Sequence, residues 1–413
     1  MKILILCDMF PPAFGPRMGY LCKYMKRAGW TPVVVTEQID DKTFSFLQGD
    51  IPVTYVNFFH AKSGLLRKLE WIFVLILDFL FHYKDKKIAK AASRLLEEGG
   101  YDGILCSTYR AFPLPAAKAL AEKYHLPFVA DLRDIIEQYA ATEYIAHSFR
   151  LFPWLDKKVT TAFRNKLLRD RNEALKKADC VTTVSPWHVE KLKAYNLQTE
   201  LIYNGYDPEI FFPEQHRTSC FVITYTGRLI SLATRDPRLL FEAIDRLDRE
   251  KRISPEQFRI QWYVDSESAT MIKQATASYP IERYMDFSDY VPASEIPGIL
   301  NRSSILLQLA NKFSSDGPKG FMTTKLFEAM AVEKPLLCVK SDESCLESAI
   351  NKTHTGLAAR TADEVYQFIL QHYLFWLEKG YTHIKVDREA IEHFSRKRQA
   401  EQFMRIFTCL NSK

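Results

Sequence analysis

Short runs of β-branched and aliphatic residues alternate with amphipathic stretches along the whole chain. Runs at 2–7 (KILILC), 32–36 (PVVVT), 53–58 (VTYVNF), 103–107 (GILCS), 127–131 (PFVAD) and 180–185 (CVTTVS) are separated by helical stretches such as Tyr20–Ala28, Ala89–Glu98 and Leu114–Tyr124. The runs are apolar continuously, not at every second residue, as expected of strands covered on both faces. A βαβα order built on such strands predicts a parallel sheet with helices on either side.

The alternation pauses at 204–217 (NGYDPEIFFPEQHR), which holds turn formers and two prolines but no strand. It resumes at 221–227, 258–264, 304–310 and 335–339. The 413 residues therefore divide into one doubly wound domain at 1–203, a second at 204–387, and a helical stretch at 388–413 expected to pack back on the first. In open sheets of this kind ligands bind beyond the carboxyl ends of the strands. With two such sheets, the ligand is expected in the cleft between them.

Composition narrows the class. Hydrophobic residues at 47% and charged residues at 26% exclude a disordered or collagen-like chain. A net charge of +6 is too mild to indicate nucleic acid without a localised patch. The eight cysteines include no C-x-x-C pair and sit mostly in apolar runs, which points to reduced core thiols in a cytoplasm. Met1 and Lys2 lead into only five apolar residues before Asp8, a buried strand and not a secretory signal. The longest apolar run, Trp71 to Phe81, has eleven residues and contains Asp78. A membrane span needs about 20, so a soluble or peripheral protein is expected.

Three segments carry residue types suited to binding an anion. After the first strand, Pro11-Pro12-Ala13-Phe14-Gly15 leads into a helix. Gly15 permits close backbone approach, and a helix N-terminus offers unpaired N–H groups. The segment is not G-x-G-x-x-G, so no dinucleotide fingerprint is present. At the next site, Tyr225-Thr226-Gly227-Arg228 ends a strand and Arg235 follows before a helix near Pro237. Two guanidiniums there can clamp a diphosphate; alternatively they are solvated or paired with Asp236. The third segment runs from Asp316 through Gly317 and Gly320 to Thr323, Thr324, Lys325 and Glu328. Either threonine can cap the helix, and Lys325 and Glu328 share its first turn. Glu328 is placed to accept hydrogen bonds from ribose hydroxyls, or else is a capping acid.

With Ser185, Asn204-Gly205-Tyr206-Asp207, Phe211, Gly227-Arg228-Leu229, Phe327-Glu328-Ala329 and Lys334-Pro335, these segments follow one order over nearly the whole length. In that order the chain resembles the GT-B glycosyltransferases of the retaining family 4. Arg235-Asp236-Pro237, Thr323-Thr324-Lys325 and Asp131-Leu132-Arg133-Asp134 resemble its bacterial surface-polysaccharide branch. The resemblance implies an α/β GT-B fold of two Rossmann-like domains. It also implies a nucleoside-diphosphate sugar as donor, uridine diphosphate by default, and a glycan or polyprenyl-diphosphate-linked acceptor on the N-terminal side. Position by position, it places Gly15, Arg228, Arg235, Thr323, Thr324 and Lys325 at the donor diphosphate and Glu328 at the ribose. Arg133 and Asp134 fall at the catalytic His-Asp of the family. The acceptor hydroxyl is expected to attack on the face the leaving group departs from, with retention and no protein nucleophile.

Two positions depart from the family pattern. The first acid of its paired-glutamate motif is replaced by Gly320, and Asp316 substitutes only if its loop folds back. The family's histidine is replaced by Arg133, which would favour an acidic or modified donor sugar. No D-x-D pair occurs in the chain, so a metal-independent enzyme is expected. A sugar-nucleotide 2-epimerase on the same fold is the alternative enzyme, although none of the ten histidines lies in a motif above. A catalytically silent sugar-nucleotide-binding or glycan-binding scaffold is the alternative outside catalysis.

The charge is uneven. Residues 62–90 carry +4 and residues 150–177 carry +6, leaving −4 for the remainder. Large apolar residues accompany both stretches: Leu65, Leu66, Trp71, Ile72 and Phe73 in one, Phe149, Leu151, Phe152 and Trp154 in the other. Basic residues flanking aromatics suit an anionic membrane surface. The competing expectation is a core helix at 71–81 with a solvated basic face. Without RNP-like or G-x-x-G signatures, no nucleic-acid partner is expected. The predicted location is the cytoplasm, at the inner face of the cell membrane.

Overall fold

The computed structural model describes residues 1–61, 64–138, 152–311 and 320–412. Asp316, Gly317, Phe149 and Leu151 lie outside them. The chain divides into two compact units, the first comprising Met1–Tyr203, Gly317–Gly320 and Arg396–Lys413, the second Asn204–Asp316 and Phe321–Ser395. Each is a doubly wound parallel sheet, so the architecture is the predicted pair of Rossmann-like domains of the GT-B fold.

In the first unit the chain runs β1 (Lys2–Cys7), α1 (Pro16–Arg27), β2 (Thr31–Glu37), β3 (Val53–Val56), α2 (Gly64–Phe81), α3 (Tyr83–Glu97), β4 (Gly103–Thr108), α4 (Leu114–Tyr124), β5 (Phe128–Leu132), α5 (Pro153–Leu175), β6 (Cys180–Thr183), α6 (Pro186–Leu192) and β7 (Thr199–Leu201). The sheet order is β3-β2-β1-β4-β5-β6-β7, every pair parallel. The unbroken apolar run of β1 has a direct cause. Leu4 and Leu6 enter the core on one face, with Ile104 and Leu120, while Ile3, Ile5 and Cys7 enter the core on the other, with Met18 and Phe407.

The second unit contains β8 (Phe221–Thr226), α7 (Arg238–Arg249), β9 (Phe258–Tyr263), α8 (Ser266–Thr276), β10 (Met285–Ser288), α9 (Ile296–Arg302), β11 (Ile305–Leu309), α10 (Thr324–Ala331), β12 (Leu336–Val339), α11 (Cys345–Thr353), β13 (Gly356–Ala359), α12 (Ala362–Lys379) and α13 (Arg388–Glu392). Its sheet order is β10-β9-β8-β11-β12-β13. Phe221, Phe258, Tyr284, Tyr373 and Trp376 form an aromatic cluster in its core. Beyond 388, one continuous helical stretch was expected; two helices form instead. After α13 the chain extends through Ser395, which bridges Tyr206, and then enters α14 (Arg396–Asn411). Phe403 and Phe407 of α14 pack in the first unit with Met18 and Leu21 of α1.

All eight cysteines are free, and six of them are buried. No helix among the described residues is long and apolar enough to cross a membrane. α2 is not a core helix: Val74 is its only buried residue, and Leu65, Leu66 and Phe73 are 72%, 72% and 60% exposed.

Candidate active site

In the second unit the predicted cations converge beyond the carboxyl end of β8. Gly227 closes that strand with its N–H on the Tyr263 carbonyl, and its φ of +108 is one that side-chain-bearing residues avoid. The space above it is already occupied. A Cβ at Gly227 would fall 1.2 Å from Nζ of Lys325, so the glycine admits the lysine.

Lys325 is the second residue of α10, whose N-cap is Thr323, not Thr324. The Thr323 hydroxyl accepts the Lys325 N–H at 3.3 Å. The positive end of the helix dipole thus lies beside the ammonium. Burial, then the charge of Arg235, pull Lys325 down to about 8, with Glu328 acting in the opposite direction. The Arg235 guanidinium donates to the carbonyl of Arg228, which also accepts from the Tyr225 hydroxyl at 3.3 Å. Asp236 does not neutralise Arg235; it is buried and bound to Arg238 and Lys340. Arg228 is 61% exposed and is held by Glu267 at 2.9 Å and Asp265 at 3.5 Å. Its carbonyl and its two acids are features that the sequence alone did not reveal.

Three cations and a helix N-terminus around one glycine suit a diphosphate. Glu328 lies a turn along α10, close enough to Lys325 to act on its charge. Gly320 adopts φ +69, a left-handed conformation that a glutamate at this position would adopt only under strain.

In the first unit, Gly15 precedes α1 where a Cβ would stand 2.7 Å from the Phe10 Cα, so close packing of the turn requires the glycine. Arg133 and Asp134 follow β5. The Arg133 guanidinium is bound to Asp8, just after β1, and lies over the Tyr109 ring at 5.7 Å. Asp8 also faces the Thr108 hydroxyl and the Tyr109 N–H, each at 3.4 Å. Burial raises Asp134 to about 6, against the lowering effect of Arg133.

A buried network went unread in the sequence. Arg17, the second residue of α1, forks onto Asp131 of β5 at 2.9 and 2.8 Å, and Ser107 and Thr182 donate to the same carboxylate at 2.7 and 2.8 Å. Arg17 also donates to the carbonyls of Ile202 and Tyr203 at 3.0 Å each, fixing α1 and its Gly15 turn over the strand ends. An arginine just inside a helix after a glycine turn, and an aspartate ending an apolar strand, were the available signals.

Known proteins similar to this chain include glycosyltransferases of the same fold. Residues 17–210 match the model of Glycosyltransferase Family 4. A search of curated protein sequences returned no match. Among solved structures, HepE of Anabaena in complex with UDP is similar at TM-score 0.59 and 14% identity, over 99% of this chain and 100% of that one. Sucrose-phosphate synthase from Thermosynechococcus elongatus is similar at TM-score 0.57 and 14% identity, over 100% and 99%. The lipopolysaccharide outer core galactosyltransferase WaaB gives TM-score 0.57 and 14% identity, over 99% of each chain.

Proposed function

We propose that this chain, a glycosyltransferase of GT-B type whose residues 17–210 match Glycosyltransferase Family 4, transfers a sugar from a nucleoside-diphosphate sugar to a glycan or lipid-linked acceptor with retention. The observation that carries the donor half is Lys325 seated over Gly227, with Arg235 and Arg228 beside it. HepE has been captured with UDP and with UDP-glucose, which supports a uridine nucleotide here.

In this reading, the bond between the anomeric carbon and the diphosphate oxygen breaks as the acceptor oxygen bonds to that carbon on the same face. The acceptor's proton passes to the departing phosphate. Lys325, Arg235, Arg228 and the α10 N-terminus stabilise the negative charge that develops there. Glu328 holds the ribose, and Thr323 and Thr324 face the pyrophosphate. Arg133 orients Asp8 and Asp134 on the acceptor side. Arg228→Ala and Glu328→Ala are each expected to weaken UDP binding about tenfold by calorimetry, the equivalent of one charge-assisted hydrogen bond. Unchanged affinity in both would refute this donor site. Slow release of sugar from one nucleotide sugar checks the transfer chemistry.

We assign the acceptor and a peripheral membrane contact to the first unit. The exposed apolar residues of α2 recur as Leu65, Leu69, Ile72, Phe73, Ile76 and Leu80, one face of a helix, with Arg67 and Lys68 beside them. α5 lies against α2, with the rings of Phe79 and Phe163 4.6 Å apart, and opens with exposed Phe152 and Trp154 followed by Lys157 and Lys158. An apolar face flanked by cations suits anionic lipid. The protein is expected to sediment with phosphatidylglycerol vesicles at low salt and to be released as salt rises. Absence of binding at low salt, or self-association without vesicle binding, contradicts the assignment. We further propose that the product is cell-surface polysaccharide.

A further inference from the structure

α2 is apolar on two faces, and only one of them is turned to solvent. The opposite face, Trp71, Val74, Leu75 and Asp78, forms a wall of a cavity of about 360 Å³ inside the first unit. Phe163 and Leu167 of α5, with Ile39, Phe59 and Phe112, add to its apolar lining. That volume lies within the roughly 300–1,000 Å³ of ordinary small-molecule sites. Its inner end is formed by Asp8, Met9, Thr108, Tyr109 and Arg110, beyond the carboxyl ends of β1 and β4, where a parallel sheet presents its ligands.

The charges at the cavity are compensated. Lys84 is bound to Glu37 and lies over the rings of Phe58 and Phe112 at 4.7 and 4.5 Å. Asp8 is bound to Arg133, and Asp78 accepts the backbone N–H of Lys84 at 2.8 Å. Arg110 lies over the Tyr109 ring at 4.8 Å. A phosphate placed here would meet three carboxylates, Asp8, Glu37 and Asp78, against Arg110 and a Lys84 already bound to Glu37, and would lose its water, which is costly. An uncharged apolar chain meets no such penalty, and its burial is favourable over its whole length. The helix that would present the protein to lipid on one side therefore lines a cavity suited to a lipid chain on the other.

We propose that this cavity binds the hydrocarbon chain of a lipid-linked acceptor, with hydroxyl groups next to the chain meeting Tyr109 and Asp8 at its inner end. The proposal rests on the glycosyltransferase reading and supplies the acceptor's chemical class. A chain seated there lies between α2 and α5 with its inner end at the strand ends.

The test uses the full chain and farnesol as an uncharged prenyl probe, with farnesyl diphosphate and inorganic pyrophosphate as further arms and UDP as the donor control. Farnesol is expected to bind saturably at one site in equilibrium dialysis. Leu75→Trp and Leu167→Trp, which fill the cavity, are expected to weaken farnesol binding at least tenfold and leave UDP affinity unchanged. Should the filled variants misfold, Phe163→Ala provides the opposite case, an enlarged cavity that takes the longer geranylgeraniol more tightly than the parent does. Pyrophosphate is expected not to displace farnesol. A protein that binds UDP but shows no saturable farnesol site overturns the proposal and leaves the donor site standing. Failure to bind both refutes the uridine-nucleotide donor site as well. Binding of farnesyl diphosphate alone, competed by pyrophosphate, also overturns the cavity assignment, because the phosphates would then be the recognised part.

Discussion

Arg17→Met is expected to remove about 3–5 kcal/mol of stability at pH 7, as does breaking other buried ion pairs by deleting one partner. The two side chains are 2% and 0% exposed, so water cannot replace the lost guanidinium. The loss also has a characteristic pH dependence. Burial pushes the Asp131 carboxyl up, but Arg17, Ser107 and Thr182 outweigh it and hold the group below its ordinary value. Its contribution is thus present above the unfolded carboxylate value of about 3.9 and is lost as pH falls through the folded one. In Arg17→Met the main opponent of burial is gone, and the folded value rises above the unfolded one. The remaining stabilisation is then greatest in acid and is lost as pH rises through that raised value. The gap between parent and variant should therefore widen from pH 4.5 to pH 7.5, as read from urea midpoints. A loss below about 1 kcal/mol, or a gap equal at both pH values, contradicts the account. Arg17→Met with Asp131→Leu should recover much of the loss, since it buries no lone charge.

Arg17 and Asp131 also mark what the sequence left unread. They stand 114 residues apart, and no local pattern pairs them. Central strands were legible, because β1, β4, β5, β8 and β11 must be apolar on both faces and so stand out as unbroken runs. The edge strands β7, β10 and β13, of three to four residues, carry less apolar burden and passed unnoticed. At the proposed donor site, residues within one turn or loop were readable as a group: Thr323, Lys325 and Glu328 on α10, and Gly227, Arg228 and Arg235 after β8. That Lys325 lies over Gly227, 98 positions earlier in the chain, follows only from the adjacency of β8 and β11 in the sheet. The partner of Arg133 was unreadable for the same reason: Asp8 follows β1, two strands away. Composition gave α2 its apolar character but not its exposure, since a helix apolar all round fits a core, a membrane surface or a cavity wall equally well.

UDP binding is expected to weaken as pH rises above about 8, by up to tenfold per pH unit, through the loss of one proton from Lys325. In the unliganded protein this ammonium is held down to about 8, chiefly by burial and then by Arg235. A diphosphate beside it favours the charged form, so the bound value rises toward that of an ordinary lysine, about 10.4. Between the two values, binding takes up a proton, and affinity falls as that proton becomes scarce. The nucleotide contributes nothing to this slope, because a terminal phosphate with a second pKa of about 6 is already ionised. Calorimetry at pH 8.5 in two buffers of different ionisation enthalpy should report net uptake of a fraction of a proton, absent in Lys325→Met. That variant should also bind UDP roughly ten- to a hundredfold more weakly at pH 7, the range for a hydrogen bond to a charged group. Lys325→Arg keeps the charge but brings a broad planar head to a site shaped for an ammonium over a bare glycine, so it should flatten the pH profile without restoring full affinity. Gly227→Ala separates charge from position: the lysine remains, yet a Cβ in its place at φ +108 displaces it, and affinity should fall with the charge inventory intact. A parent profile that stays flat from pH 7 to 9.5, or a Gly227→Ala variant that binds UDP normally, would remove Lys325 from the diphosphate.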